Sequence, residues 1–328
     1  MSGIVNFLKS PNNSFFKGLR VVVTGAGGHL GSQLAHHLLA HGAHVSVFLR
    51  PSTDLWRLEG ITKQLTIYHT DLEQFDIEDL AKKIGGVDVF YHLAAVGVNP
   101  NCQDASVMIR ANVTGTHNAL MLAQQLKVGR FIYCGSCFEY GAGELLSEDA
   151  WPTPVSEYGA SKVAGWVLAN TFGRKYGLPV VSLRPFTLYG PWESSYRLVS
   201  QVIYSCIDGK DIKLTDGAQG RDFIFIDDAL EAFLNAATLE GIEGQTFNVG
   251  TGTSVTIKDM VALIMQLMQT KIEAQWGSLP NRLDELRIIS ANNPSKARAQ
   301  LQWQACTTLE MGLQKTIDWV YANKRTIT

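Results

Sequence analysis

Between an apolar run and a helix-like run, the stretch VVVTGAGGHLGSQLAHHL (Val21 to Leu38) packs four glycines into seven residues. Gly25, Gly28 and Gly31 follow G-x-x-G-x-x-G spacing, with Gly27 in addition. Absent Cβ atoms allow a tight strand-to-helix turn, let a pyrophosphate approach the backbone and seat the helix close to the sheet. The helix N-terminus then favours the phosphate charge. Such turns also arise from packing alone, so the surroundings decide; here they favour a dinucleotide lying against Gly25, Gly28, His29, Leu30 and Gly31.

Short β-branched runs alternate with helical patterns: LRVVVTG, HVSVFL from His44, LTIYHT from Leu65, DVFYHLAA from Asp88, GRFIYCGS from Gly129 and LPVVSLRPF from Leu178. Their continuous apolarity means strands covered on both faces, hence a parallel sheet with crossover helices. The reading is an α/β, doubly wound (Rossmann) domain over residues 19–190, preceded by a surface arm at 1–18. After Gly190 the spacing loosens into helices, short strands and turns. Residues 191–328 read as a smaller C-terminal α/β substrate-binding region, with room for a segment that returns to the first sheet. The expected site is a cleft between the two, at the carboxyl ends of the strands.

A net charge of −2 with scattered Lys and Arg offers no basic face for nucleic acid or an anionic membrane. The apolar stretch MVALIMQLM from Met260 is far shorter than the ~20 residues of a membrane span, and the first residues lack a signal peptide's continuous apolar core. Five cysteines without framework spacing suit a reducing compartment, so the cytoplasm is expected. Cys134 and Cys137 have redox or zinc spacing but no second pair, and His37 and His41 have metal-compatible spacing but no acidic partner. Buried thiols and a solvated helix face are the better readings, and no metal is expected.

At the end of the second strand Leu49 and Arg50 stand where an acid would meet the adenosine ribose. Arg50 suits a 2′-phosphate, which favours NADP over NAD; a solvated loop arginine is the plain alternative. Asp71, followed by Leu72, falls within reach of the adenine amino group, or simply caps a helix. EYGASKVAGW sets Tyr158 and Lys162 at i and i+4 on one helix face. A phenol normally titrates near ~10, and a neighbouring ammonium and an oxidised nicotinamide favour its phenolate. Tyr158 is thereby usable as a proton donor or acceptor at an alcohol or ketone.

In order over nearly the whole chain, TGAGGHLG, DLEQ, YHLAA, NVTGTHNAL, GSCFEYG, YGASK, LRPFTLYGP, GRDFIFIDD and FNVGTGTSV resemble the extended short-chain dehydrogenases/reductases that act on nucleotide-activated sugars. The resemblance implies that Tyr158 is the acid/base, that Lys162 binds the nicotinamide ribose and lowers the Tyr158 pKa, and that Ser136 hydrogen-bonds the reacting oxygen. It implies that Asn112 fixes a helix kink and its water, and that Leu93, Ala94 and Ala95 line the coenzyme. Pro185 and Phe186 fall at the nicotinamide, Phe186 meeting the carboxamide through its backbone. Cys137, Phe138 and Thr187 fall on the substrate side, and Arg221 and Arg282 would bind the diphosphate of a nucleotide sugar.

Departures from the family pattern narrow the expectation. Dehydratases and decarboxylases of this group carry an acidic residue two positions before the tyrosine of the Tyr-Gly pair, where this chain has Phe138. Glu139 beside Tyr140, and LRPFTLYGPWE, resemble the 4-keto-6-deoxyhexose reductases. Thr187 stands where many relatives have an Asn that contacts a phosphate. The expected activity is NADP-dependent reduction of a 4-ketohexose carried on a nucleoside diphosphate. NAD-dependent C4 epimerisation by the same residues is the alternative, and a non-catalytic dinucleotide-binding regulator a remote one. The helices near Asp104 to Leu126 and Tyr158 to Tyr176 read either as the pairing surface of a homodimer or as ordinary sheet-facing helices.

Overall fold

The computed structural model describes residues 14–97, 104–281, 287–291 and 294–323. Most of the expected N-terminal arm, and Arg282, lie outside the described residues. Seven strands form one sheet: β1 (Arg20–Thr24), β2 (His44–Leu49), β3 (Thr66–His69), β4 (Val89–His92), β5 (Arg130–Cys134), β6 (Val180–Pro185) and β7 (Thr246–Val249). Their order is β7-β6-β5-β4-β1-β2-β3, with every pairing parallel. Side chains alternate between the two faces of a strand, and both faces are apolar here. Val21 and Val23 enter one core cluster while Val22, between them, enters the other.

Helices cover both faces: α1 (His29–Ala40), α2 (Ile77–Ile84), α3 (Ala105–Ile109), α4 (Gly115–Leu126) and α5 (Glu157–Tyr176), then α6 (Leu198–Asp208), α7 (Ile226–Thr238), α8 (Ile257–Leu267), α9 (Ser295–Gln300) and α10 (Leu309–Asn323). Among the described residues no helix is long and apolar enough to cross a membrane. Met260, Val261 and Ile264 of the apolar MVALIMQLM stretch are buried on α8.

The strand order reverses direction between β1 and β4, which opens a crevice where Gly25 follows one strand and Leu93 the other. A second sheet of four short strands (Val255–Thr256, Gly220–Arg221, Ile288–Ala291, Gly143–Leu146) and a parallel pair, Thr187–Tyr189 with Phe223–Phe225, lie outside the seven-stranded sheet. β7 follows that excursion in sequence yet pairs with β6, Val249 opposite Pro185.

Between α3 and α4 the backbone widens into one π-helical turn, Arg110–Thr114. Asn112 sits in it, fully buried, and its side chain is fully used. Its Oδ1 accepts from the Val96 amide at 2.8 Å, and its Nδ2 donates to the Val96 carbonyl at 2.8 Å and to Ser161 Oγ at 2.9 Å. Ser161 in turn donates to the Tyr158 carbonyl at 2.8 Å. The bulge therefore pins the chain after β4 to the first turn of α5.

Candidate active site

One cavity of about 440 Å³ opens at the crevice. Its walls gather Gly25, Gly28, His29, Leu30, Gly31, Leu93, Ala95, Lys162, Pro185 and Phe186 from the expected coenzyme set, and Ser136, Cys137, Phe138, Thr187 and Arg221 from the substrate set, together with Tyr158. Gly25 has φ +72°, and a Cβ there would stand 2.7 Å from the Ala94 amide nitrogen. A Cβ on Gly31 would run into the Gly25 carbonyl oxygen. Gly28 caps α1 with no side chain on the first amides. Bare amides at a helix N-terminus, in a turn that admits no Cβ, fit a dinucleotide pyrophosphate.

Five of the expected coenzyme residues do not line the cavity. Arg50 is exposed, and the clamp on a 2′-phosphate expected of it gains no support from its position. Asp71 is exposed and accepts from the Glu73 amide at 3.0 Å, an Asx turn rather than a contact into the cavity. Leu72 packs its Cβ toward Gly115, Ala94 backs Gly25, and Asn112 is used as described above. The Phe186 amide donates to the Val249 carbonyl at 3.0 Å, so that N–H is not available to a carboxamide.

Tyr158 and Lys162 lie in the first turns of α5, whose start is fixed by Ser156 accepting from the Gly159 amide at 3.1 Å. Burial raises the Tyr158 pKa above its ordinary value, and a hydrogen bond with Ser136 pulls the other way. Phe138 meets the Tyr158 ring edge to face, centroids 6.1 Å apart. Lys162 is 2% exposed, its Nζ 4.7 Å from the Tyr133 ring centroid, and burial lowers its pKa while Cys134 and Glu139 raise it. Burial also raises the Cys134 thiol to about 11 and the Cys137 thiol to about 12, so both stay protonated and inert near neutrality.

Under this group runs a chain of buried polar contacts. Ser136 heads a short turn, Cys137–Glu139, in a capping box: Phe138 N donates to Ser136 Oγ at 3.3 Å and Glu139 Oε1 accepts from the Ser136 amide at 2.9 Å. Glu139 Oε2 accepts from Arg184 Nε at 2.6 Å, and Arg184 Nη1 donates to the Tyr140 hydroxyl at 2.8 Å. The Tyr140 hydroxyl donates to Asn248 Oδ1 on β7 at 2.8 Å. Glu139 thus faces away from the cavity, holding Ser136 in place. A second chain settles a tautomer: Thr116 Oγ1 donates to the Asn112 carbonyl, so it accepts from His92 Nε2, and His92 Nδ1 accepts from Thr24. Burial lowers the His92 pKa to about 3, in keeping with that neutral ring.

The cavity also holds residues that local sequence patterns did not single out: Arg57, Gly97, Glu193, Ser194, Tyr196 and Arg197. Gly97 has φ +105°, and a Cβ there would stand 3.0 Å from Tyr158 Cδ2. Glu193 and Arg197 pair at i,i+4 (3.5 Å), the one local signal available in this segment. Elsewhere, the rings of His37 and His41 stack at 4.0 Å, and His41 Nδ1 donates to the His37 carbonyl at 2.8 Å.

Burial raises the Glu193 carboxyl to about 7, against Arg197 and Ser200. A folded-state pKa above the unfolded ~4.3 means that the folded protein holds this proton more tightly. The stabilisation is complete below ~4.3 and is lost as pH rises through about 7. Urea unfolding of the coenzyme-free protein should therefore show the stability of wild type relative to Glu193→Gln falling by up to about 3 kcal/mol between pH 5 and 8, on top of a rise common to both from buried His29 and His92, whose pKa values burial lowers to about 3. A wild-type profile superimposable on the variant's would refute this assignment. Asp227, raised by burial to about 6, supplies a smaller decline common to both.

Comparison with known proteins agrees with this geometry. The sequence profile of the family described as "NAD dependent epimerase/dehydratase family" matches residues 21–250. UDP-glucose 4-epimerase of Mycolicibacterium smegmatis is 30% identical, with 93% of this chain and 99% of that protein covered. dTDP-glucose 4,6-dehydratase of Neisseria meningitidis serogroup B is 28% identical, covering 93% and 94%. Among solved structures, MoeE5 in complex with UDP-glucuronic acid and NAD is 30% identical, covers 93% of this chain and 99% of its own, and superposes with a TM-score of 0.83. The fold is that of these enzymes, and the coenzyme in the family description is NAD, not the NADP favoured by the reading of Arg50. With a parallel seven-stranded sheet, a glycine cradle and a Tyr158–Lys162 pair in one cavity, the chain belongs to the NAD-dependent epimerase/dehydratase family of extended short-chain dehydrogenases/reductases.

Proposed function

We propose that the protein is an NAD-dependent epimerase acting at C4 of a nucleoside-diphosphate sugar. The observation that carries this reading is the single cavity that brings Tyr158, Lys162 and Ser136 beside the glycine cradle. Bound NAD, held by the Gly25–Gly31 turn, supplies the acceptor and donor of hydride. Tyr158 takes the proton of the sugar hydroxyl and later returns it, while Ser136 hydrogen-bonds the same oxygen. Lys162, held against Tyr133, provides the positive charge that counters the burial of Tyr158. Arg221 and Arg197, both in the cavity wall, suit the sugar nucleotide's diphosphate.

Three features support epimerisation over the other chemistries of the family. Cys137 and Phe138 bring no carboxyl to Tyr158, and Glu139 is turned onto Arg184, so the additional acid or base of a dehydratase is missing at these positions. Arg50 does not reach the cavity, which supports NAD rather than NADP. A relative at 30% identity is a UDP-glucose 4-epimerase. A second reading, single reduction of a 4-keto sugar, is favoured by the raised Tyr158 pKa, since a proton-bearing phenol is a ready donor.

Denaturing the purified protein and assaying released nucleotide separates the two. About one NAD per chain, with interconversion of C4 epimers without added coenzyme, is the expected result. A coenzyme-free protein that oxidises added NADH or NADPH with a 4-keto sugar nucleotide supports the second reading, and absence of both activities overturns the assignment. Ile109, Met121, Val167 and Tyr176 leave exposed apolar side chains on α3, α4 and α5, which supports a second copy of the chain as partner. Sedimentation of the same sample reads that directly: the mass of a single chain would exclude it. The four described cysteines are free thiols, in keeping with a cytoplasmic setting.

A further inference from the structure

The segment Gly190–Arg197 crosses from the substrate side to the glycine turn, and Glu193, Ser194 and Arg197 face Gly28 and Gly31 across the same cavity. It is tied to the coenzyme side by long-range hydrogen bonds. The Pro191 carbonyl accepts from Gln33 Nε2 at 3.0 Å and from His29 Nε2 at 2.9 Å. The Trp192 carbonyl accepts from Arg57 Nε at 2.8 Å, and Ser194 Oγ accepts from Arg57 Nη2 at 2.9 Å. The third donor of the same guanidinium, Nη1, reaches the Gly27 carbonyl at 3.2 Å. One arginine therefore staples this segment to the phosphate cradle itself.

We propose that Gly190–Arg197 is a latch that shuts the coenzyme into the protein, and that Gln33 and Arg57 are its anchors. The inference rests on the coenzyme reading of the cavity given above and adds what governs coenzyme release. A dinucleotide lying along the cradle is enclosed by the latch, so it leaves only when the Pro191, Trp192 and Ser194 contacts open together. His29 donates as a neutral ring, since burial lowers its pKa to about 3, and that contact does not change near neutrality. Behind the latch lies a second cavity of about 220 Å³, lined by Trp56, Trp192, Tyr204 and Trp319 and sharing Arg57 with the first. It gives the latch somewhere to move. Trp192 itself has φ +68°, a backbone conformation disfavoured for a bulky side chain, so the closed position is held by its contacts rather than by its own preference. Gln33 and Arg57 are positioning residues: they act on the coenzyme through the latch.

The test follows exchange of radiolabelled NAD out of the intact protein into an excess of unlabelled NAD. Wild type is expected to exchange slowly. Gln33→Leu, which removes one neutral hydrogen bond, should release NAD about fivefold faster, and Gln33→Leu with Arg57→Met at least about tenfold faster. The association rate should be nearly unchanged, which a general loss of structure would not give. Trp192→Ala, which keeps the positive φ and both anchors but removes the indole packed against the His36 ring of α1 (centroids 4.8 Å), is the second probe if the double variant does not fold; faster release is again expected. Equal release rates in wild type and variants would overturn the latch. So would a wild type that exchanges within the dead time of manual mixing, or one that binds no NAD. Because the readout is labelled coenzyme, slow exchange in wild type and fast exchange in the variants sustains the latch even where no sugar is epimerised, and epimerisation with equal rates sustains only the proposed function.

Discussion

Tyr158→Phe should lower kcat by about 10²- to 10⁴-fold while leaving NAD content and nucleotide-sugar affinity close to wild type. The substitution deletes one oxygen and no packing surface. The ring stays between Phe138, 6.1 Å away edge to face, and the tight approach of Gly97. What disappears is the phenol on the cavity wall beside Ser136, and with it the proton transfer proposed for it. Burial raises the Tyr158 pKa, so its use as a base in the proposed reaction calls for compensating positive charge, the role proposed for Lys162 and for an oxidised nicotinamide when bound. A decrease of only a few-fold, read by steady-state kinetics on epimer interconversion, would mean that the proton travels by another route.

Arg184→Met should cost about 3–5 kcal/mol in urea unfolding at pH 7, the largest stability loss expected of a single substitution near the site. Arg184 and Glu139 are 1% and 0% exposed at the side chain, and the guanidinium also lies over the Tyr140 and Trp166 rings at 4.6 and 4.7 Å. Methionine fills much of the volume but leaves the Glu139 carboxylate buried without a cation. Burial already raises the Glu139 pKa, with Arg184 opposing it; without Arg184 the carboxyl gains a proton more readily. The deficit should therefore be smaller at pH 5 than at pH 7. A loss under about 1 kcal/mol at pH 7 would show that the pair is replaceable by packing alone. Activity is expected to fall as well, because Glu139 holds the Ser136 amide.

The sheet was legible in sequence because its signal is local. Runs such as VVV at Val21 and VVSL at Val180, the latter broken only by Ser182, show near-continuous apolarity only when both faces are covered, and Gly25, Gly28 and Gly31 carry their spacing in seven residues. The second sheet was not legible: two of its strands are two-residue pairs, Gly220–Arg221 and Val255–Thr256, too short to show any period. At the site, Tyr158 and Lys162 were legible from their spacing and Ser136 through the family resemblance, and all three line one cavity. Arg57 was missed because nothing near it in sequence marks it; its partners Trp192 and Ser194 lie 135 and 137 positions away. Arg50 drew attention by standing at the right strand end, yet the end of a strand fixes only the backbone, and the side chain went to solvent. Glu139 stood out in sequence only for its place beside Tyr140; its partner Arg184, 45 positions away on another strand, is what turns it inward.

The pairing of β6 with β7 has an evolutionary reach. Between Phe186 and Gln245 the chain leaves the ladder, returns across its face as α7, packed against β5 and β6, and rejoins at a neighbouring position, so its two ends are clamped side by side by a parallel ladder. The part of that excursion before α7 behaves as an inserted cassette, with room to lengthen, shorten or exchange its walls without disturbing the register of the strands that border the crevice. Diversity of sugars across relatives built on the same frame follows from that arrangement. So does the difficulty of cutting such a protein into two self-sufficient halves, since a break after β6 would strip the sheet of its last strand and expose a bare, adhesive edge.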